Sequence, residues 1–315
     1  MKKYLNSFCA VFVLAASLLV TGCKAPSGGG SGSGQDGGQQ GGGITLYTKV
    51  GTQTIGNTTY DIVTFGSFPQ SEKTDDTITV NESESKTAGS YTYFRGSDGE
   101  WYAKLASKYY KVEPIKWRVL TTDYDHDGNP STAGKKLLHA ENTLINKAYH
   151  ANSNNYENSS VRAYLTGDFY ATAFTQEEQN AIATTTVINN ARSTNPDSNA
   201  TQFNGGVNQY ASDNATSDKI FLLSEQEVTK ADYGFAAYNA YGTGSTRIRK
   251  VTAFAKESGA LASTRSGYED AGFWWLRSPT CNSNYTRYVS YDGSADNLDS
   301  VFNDGRGVVP ALCLN

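Results

Sequence analysis

Apolar residues along this chain come in two patterns. One is a single stretch from Phe8 to Val20, behind Lys2 and Lys3. It is too short to span a bilayer as a stable helix but long enough to engage an export machinery. The other pattern is a series of short β-rich runs punctuated by turn residues. Tyr60 to Gly66 reads as a strand that stops before Pro69, because proline cannot donate to a central ladder. Tyr91 to Phe94 and Gly99 to Tyr102 predict a hairpin, and Lys116 to Leu120 with Lys136 to His139 a second pair.

Helical signals occupy the middle. Ser160 is placed to cap a helix through Val161, Tyr164 and Leu165. Thr175 and Glu178 have capping-box spacing, and that helix would bury Ile182. Ser224 and Glu227 repeat the device directly after the apolar run Ile220 to Leu223. Residues 189 to 217 are polar without a period and read as a surface insertion. Strands return at Phe273 to Pro279, Tyr288 to Tyr291 and Gly307 to Leu312. Strands at both ends with helices between them predict an α+β fold.

The N-terminal stretch ends in Val20-Thr21-Gly22-Cys23, which resembles the bacterial lipobox. Residues 1–22 are then a lipoprotein signal peptide, and Cys23 is the lipidation site. Each buried acyl methylene contributes roughly 0.8 kcal/mol, so two or three chains give a durable membrane anchor. Lys24 in place of Asp permits onward sorting to the outer membrane or cell surface in bacteria that follow the aspartate retention rule. Lys24 to Gly43 is nearly all Gly, Ser and Gln, a flexible tether with a reach of roughly 25 Å. Residues 44–315 carry no second such linker and are expected to form one domain.

Composition excludes some partners and chemistries. The net charge is −4 with no basic cluster, so nucleic acid is not an expected partner. Tyr occurs 21 times and Met once, a usage that suits both strand residues and binding surfaces. The three histidines form no metalloprotease motif, and no nucleophile elbow, phosphate loop or dinucleotide fingerprint occurs. No enzyme activity, cofactor or metal is therefore expected. The Asp123 to Gly128 segment resembles the start of an EF-hand, but the twelfth position is Gly134 rather than Glu. A polar turn with at most weak calcium affinity is the reading. Once Cys9 leaves with the signal and Cys23 is acylated, Cys281 and Cys313 remain as a possible disulfide.

From Leu276 to the end the chain holds no Lys, Glu, Gln, Met or Trp. Those five amino acids are the ones that no codon ending in a pyrimidine encodes. Randomising both adenines of Asn codons would yield the Asn, Tyr, Ser, Asp, Arg, Thr, Phe, Val and Leu mixture found here. The framing residues carry a resemblance. Trp275-Leu276-Arg277-Ser278-Pro279, then Asp292-Gly293, then Gly307-Val308-Val309-Pro310-Ala311-Leu312 look like the closing segment of bacterial C-type lectin folds of the formylglycine-generating-enzyme type. Trp117 to Leu120, Ser160 to Phe169 and Ile220 to Ser224 agree with it. The resemblance covers about residues 60 to 315 and extends to treponeme-like surface lipoproteins, some of them variable proteins of diversity-generating retroelements. Two departures stand out: Val309 replaces the usual Arg, and the enzymes' closely spaced catalytic cysteine pair is missing.

The resemblance implies a division of labour. Trp274, Trp275, Leu276, Pro310 and Leu312 hold the fold, while a variable-looking region at about residues 280–306 carries ligand contacts. The candidates are Asn282, Asn284, Tyr285, Arg287, Tyr288, Ser290, Tyr291, Ser294, Asp296, Asn297, Asp299, Phe302, Asn303 and Asp304, with Tyr285, Arg287 and Tyr288 as anchors. The ligand would be an extracellular protein or glycan. The alternatives are a non-diversified adhesin or structural envelope lipoprotein of the same fold, and less readily a glycan-acting enzyme.

Overall fold

The computed structural model describes residues 46–124, 134–196 and 214–315, apart from Asn239, Cys281 and Asp296. Residues 1–22 expected as a signal peptide, Cys23, the expected tether and most of the EF-hand-like loop lie outside the described residues. Strands dominate and the helices are few and short, an α+β fold weighted toward β. No helix among the described residues is long and apolar enough to cross a membrane.

The chain opens with β1 (Thr48–Ile55) and β2 (Thr58–Glu72), paired antiparallel. Next come β3 (Val80–Ala88), β4 (Tyr91–Gly96), β5 (Trp101–Leu105), β6 (Lys108–Thr121) and β7 (Lys136–Ala140). Both expected pairs are present: β4 with β5, and β6 with β7. Pro69 does not end its strand, however. Strand β2 continues to Glu72 by breaking register at Thr64/Ser67 and Pro69/Glu72, irregularities that leave room for a proline. Gly66 lies in the first break at φ +67, where a Cβ would meet the Phe174 ring at 2.6 Å.

Short strands β8 (Asn142–Thr143) and β9 (Ile145–Asn146) lead to the helical middle. Helix α1 (Ser160–Tyr164) passes through a π-helical turn at Leu165–Phe169 into α2 (Tyr170–Ala173), and α3 (Gln176–Ala181) follows. The first cap falls one residue earlier than expected: the Ser159 hydroxyl accepts from Arg162 N–H, and Ser160 is already helical. The Thr175–Glu178 capping box is present. The other Glu178 oxygen accepts from Gly66 N–H at 3.0 Å, tying α3 to β2. Ile182 is buried just past the end of α3, which itself buries no side chain.

Strands β10 (Thr185–Val187) and β11 (Thr216–Asp218) pair at the base of the polar insertion, with α4 (Ala191–Thr194) between them. After β12 (Ile220–Phe221), the Ser224–Glu227 box closes in both directions, but it starts a 3-10 turn at Glu227–Thr229 rather than a longer helix. Then come β13 (Lys250–Val251), α5 (Ala253–Glu257), β14 (Trp274–Pro279), β15 (Tyr285–Val289), β16 (Asn297–Ser300), β17 (Gly307–Val308) and β18 (Ala311–Leu314).

Two sheets organise these strands. The larger runs β12-β18-β7-β6-β5-β4-β3, with β2 also on β6 and β1 on β2; the smaller runs β16-β15-β14-β17-β9. Gly307 to Leu312, expected as one strand, is two strands in different sheets. Val309 and Pro310 form the crossing between β17 and β18, and the Pro310 carbonyl accepts from Ala140 N–H at 2.9 Å. The C-terminal segment thus joins both sheets to one core, in which Trp117, Trp274, Trp275, Leu276, Val309 and Leu312 are fully buried. Trp117 Nε1 donates to the Phe65 carbonyl at 2.8 Å, and Trp275 Nε1 to the Lys147 carbonyl at 2.8 Å, so the indole donors are satisfied as burial requires.

Cys313 is a free thiol buried in β18, and burial pushes its pKa up to about 12, which keeps it protonated and inert. Its proposed disulfide partner, Cys281, lies outside the described residues. At the EF-hand-like loop, the Asp123 carboxylate accepts from Gly134 N–H at 3.2 Å, closing the base of the turn.

Candidate ligand-binding face

Among the described residues, the expected ligand residues all belong to the outer half of the smaller sheet or to its connecting turns. Strand β14 is buried along its whole length, β15 is partly buried, and β16 is the sheet edge. Burial therefore relaxes from β14 outward, leaving room for side chains that do not serve the core.

Alternation along β15 separates the three expected anchors. Tyr288 pairs with Asn297 on one side and Trp275 on the other, so those residues share a face. Tyr288 is half-buried, and the Arg306 guanidinium sits 4.5 Å from its ring centroid. The same guanidinium lies 4.8 Å from the Phe273 ring and is ion-paired to Asp299 at 2.5 Å. Phe273 meets Tyr291 edge-on at 5.4 Å, and Tyr291 meets Tyr268 edge-on at 5.4 Å. Arg265 donates to the Tyr291 hydroxyl at 2.8 Å. The result is a continuous ridge, Tyr288–Arg306–Phe273–Tyr291–Tyr268, built from strand, turn and loop. Stacking of this kind is worth about 0.5–2 kcal/mol per cation–ring contact, depending on exposure.

Arg287, expected as an anchor, is not on this face. It is 6% exposed and turned inward, with its Nε 3.4 Å from the buried Glu225 carboxylate. A strand shows its residues to alternate faces, and composition cannot say which face is wet. Ser290 is likewise buried, inside the turn that its own backbone closes with Gly293 and Ser294. Both are withdrawn as contact residues.

The short polar candidates mostly serve their own turns. The Asn282 side chain accepts from Asn284 N–H, and the Ser294 hydroxyl donates to Asp292 and accepts from Asn297. Asp299 holds Asn303 as well as Arg306. Asn284 and Asp304 are exposed, Tyr285 is half-buried and Phe302 is 62% exposed. Asp296 lies outside the described residues.

Several positioning residues were not among the expected site residues. Asn154 Nδ2 reaches the carbonyls of Thr280, Asn282 and Tyr285 at 2.9–3.1 Å, fixing the entry of the loop between β14 and β15. Arg277 lies beneath it, bonded to the Leu222 carbonyl at 2.7 Å and ion-paired with Glu227, which also accepts from the Tyr124 hydroxyl at 2.6 Å. Burial pushes the Glu227 carboxyl up, but Arg277 and the Tyr124 hydroxyl outweigh it and hold the carboxyl below its ordinary range. Gly293 turns at φ +83 where a Cβ would fall 2.2 Å from Ser245 Oγ, so this turn docks closely against the loop that carries exposed Tyr241. Only the tertiary structure brings Arg265, Tyr268 and Phe273 to the ridge. Arg306 falls inside the polar stretch but was not among the expected contacts.

Residues 133–315 match a family described as a domain of unknown function, DUF6273. The match covers more than half of the 315 residues. The chain belongs to this family. The DUF6273 segment takes in the whole smaller sheet and the ridge, and it begins just before β7. No curated protein and no solved structure matches the chain.

Proposed function

We propose that this protein is a lipid-anchored, surface-displayed ligand-binding lipoprotein. In this reading its C-terminal domain is a C-type lectin-like fold of the formylglycine-generating-enzyme type, its ridge takes an extracellular protein or glycan, and the surrounding face is diversified by a retroelement. It acts by binding and not by catalysis. The observation that carries the reading is the ridge itself. Four half-buried rings and one guanidinium lie side by side on β15 and the loops around it, next to turns whose residues are drawn from the pyrimidine-ending codon set. Rigid aromatic and Arg groups contribute much binding energy for little ordering cost.

One observation favours the non-diversified alternative, an adhesin or envelope structural lipoprotein. Asn282, Ser294, Asn297, Asp299 and Asn303 use their side chains in local hydrogen bonds, which restricts what can replace them. The deciding experiment is sequencing of the neighbouring DNA and of the region across strains. A reverse transcriptase gene with a near-copy of the region differing at adenines supports diversification. Constant sequence at Tyr285, Tyr288 and Tyr291 with no near-copy overturns it. For the anchor, labelling with an alkyne fatty acid should be lost in Cys23→Ser together with membrane retention.

A further inference from the structure

The outlying strands β3 to β5 sort their charges by face. Side chains alternate along β5, so Tyr102 and Lys104 belong to one face and Trp101 and Ala103 to the other. On the Tyr102 face the charges are paired. Lys104 holds Glu82 at 2.6 Å, and Lys111, opposite Tyr102 in register, holds Glu100 at 3.3 Å. The Tyr102 hydroxyl donates to Asp98 at 2.7 Å.

The Trp101 face is different. Arg95 of β4 lies opposite Trp101, and Lys86 of β3 lies opposite Tyr93, which shares the face of Arg95. Both cations reach the half-buried indole: the Lys86 ammonium is 4.4 Å from the Trp101 ring centroid and the Arg95 guanidinium 5.0 Å. Among the described residues, neither cation has a hydrogen bond or an ion pair. Partial desolvation and the Arg95 charge push the Lys86 ammonium below its ordinary value, and no carboxylate, Glu84 included, draws it back up. The ring offsets part of the repulsion between the cations. It still leaves two positive charges without a counter-ion, closer together than the roughly 10 Å over which 0.1 M salt screens them.

We propose that the Trp101 face binds a phosphate group, with the Arg95 guanidinium and the Lys86 ammonium receiving its oxygens and the Trp101 ring holding both cations in place. The missing counter-ion sets the sign of the ligand, and two cations set its charge. A phosphate monoester carries about −1.5 to −2 near pH 7, whereas a carboxylate carries a single charge. Its three terminal oxygens serve an Arg fork and a Lys point charge together, while the fork alone occupies both oxygens of a carboxylate. The site lies on β3 to β5, ahead of the segment that matches the family, and stands apart from both the ridge and the lipid anchor. Either of those can fail without it.

The test uses tryptophan emission. Of the four tryptophans, Trp117, Trp274 and Trp275 are fully buried, so a change on adding ligand reads Trp101. The full chain in detergent micelles is titrated with glycerol 3-phosphate, inorganic phosphate, succinate and glycerol, and separately with phosphatidic acid mixed into the micelles. Glycerol 3-phosphate should bind at least about tenfold more tightly than succinate, and glycerol not at all. Its affinity should fall between about pH 7 and pH 5, as the phosphate takes up its second proton. Lys86→Ala and Arg95→Ala should each weaken binding about tenfold or more, with the unfolding midpoint unchanged, and Lys104→Ala on the opposite face should leave it as it was. Inorganic phosphate matching the ester would mark a site for free phosphate, and weaker inorganic phosphate a site for its esters; both support the proposal. Succinate binding as tightly as glycerol 3-phosphate overturns it, as does no response to either phosphate up to about 10 mM. A response to phosphatidic acid alone would make the face a lipid contact and also overturns it.

Discussion

Two arginine–carboxylate pairs flank strand β15 and serve opposite ends. Arg287 and Glu225 lie on the inner side, with side chains 8% and 0% exposed. Arg306 and Asp299 lie on the outer side, at 12% and 19%. Arg287 and Tyr288 are neighbours in sequence, yet one holds the sheet to the segment around Glu225 while the other supports the ridge. The inner pair has lost its water, so removing one partner strands a buried charge. In the outer pair the Asp299 side chain keeps 19% of its surface in contact with water, which can take over part of the role of either partner. A residue type and a place in the chain therefore do not define a role here. The side of the strand does.

That contrast can be broken or sharpened by experiment. Glu225→Ala should cost about 3–5 kcal/mol, read by denaturant unfolding, since it leaves Arg287 buried without its counter-ion. A cost below about 1 kcal/mol would show that the inner pair is no different from a surface one. Asn154→Ala should cost about 1–3 kcal/mol by leaving the buried Thr280 carbonyl without this donor, and it should also weaken any ligand of the ridge.

Acid should loosen the interior first. Burial, Arg249 and Arg118 hold the pKa of His139 well below its ordinary value, so the folded state keeps it neutral while the unfolded chain takes up a proton. With more protons on the unfolded chain, stability falls as pH drops below about 6.5, by up to about 1.4 kcal/mol per pH unit. Glu227, whose folded pKa is depressed, contributes stability above the ordinary carboxylate pKa that is lost as pH falls further. His139→Gln should flatten the profile between about pH 6.5 and 5 and leave the lower limb in place.

Smaller effects belong to the outer face. Asp299→Ala should cost about 1 kcal/mol or less in stability while changing ligand binding, because it frees Arg306 from its place between the rings. Phe302→Ser should shift stability by no more than about 0.5 kcal/mol, since its ring is largely in water already. A large loss for Phe302→Ser in urea titration would place that ring in the core rather than on the face.

Much of the fold was legible in the sequence. The β4–β5 and β6–β7 pairs, the Thr175 and Ser224 capping boxes and the buried Trp274-Trp275-Leu276 run all follow from local patterns, because period, cap and turn chemistry act over a few residues. Pro69 misled because a break in register accommodates it, and the single strand read at Gly307 to Leu312 became two because Val309 and Pro310 cross between sheets. The candidate site was legible as a region and not as a set of contacts. The codon-limited composition marks residues 280–306, but it cannot sort Arg287 from Tyr288, since both types suit a ligand face. What the sequence determined by itself is therefore local: the elements and their caps. The tertiary structure decided which sides of those elements are dry. It brought Arg265, Tyr268 and Phe273 beside Arg306, and it set Asn154 under a loop that begins 126 residues further along the chain. Burial and long-range pairing depend on what packs opposite, and no short window of sequence contains that.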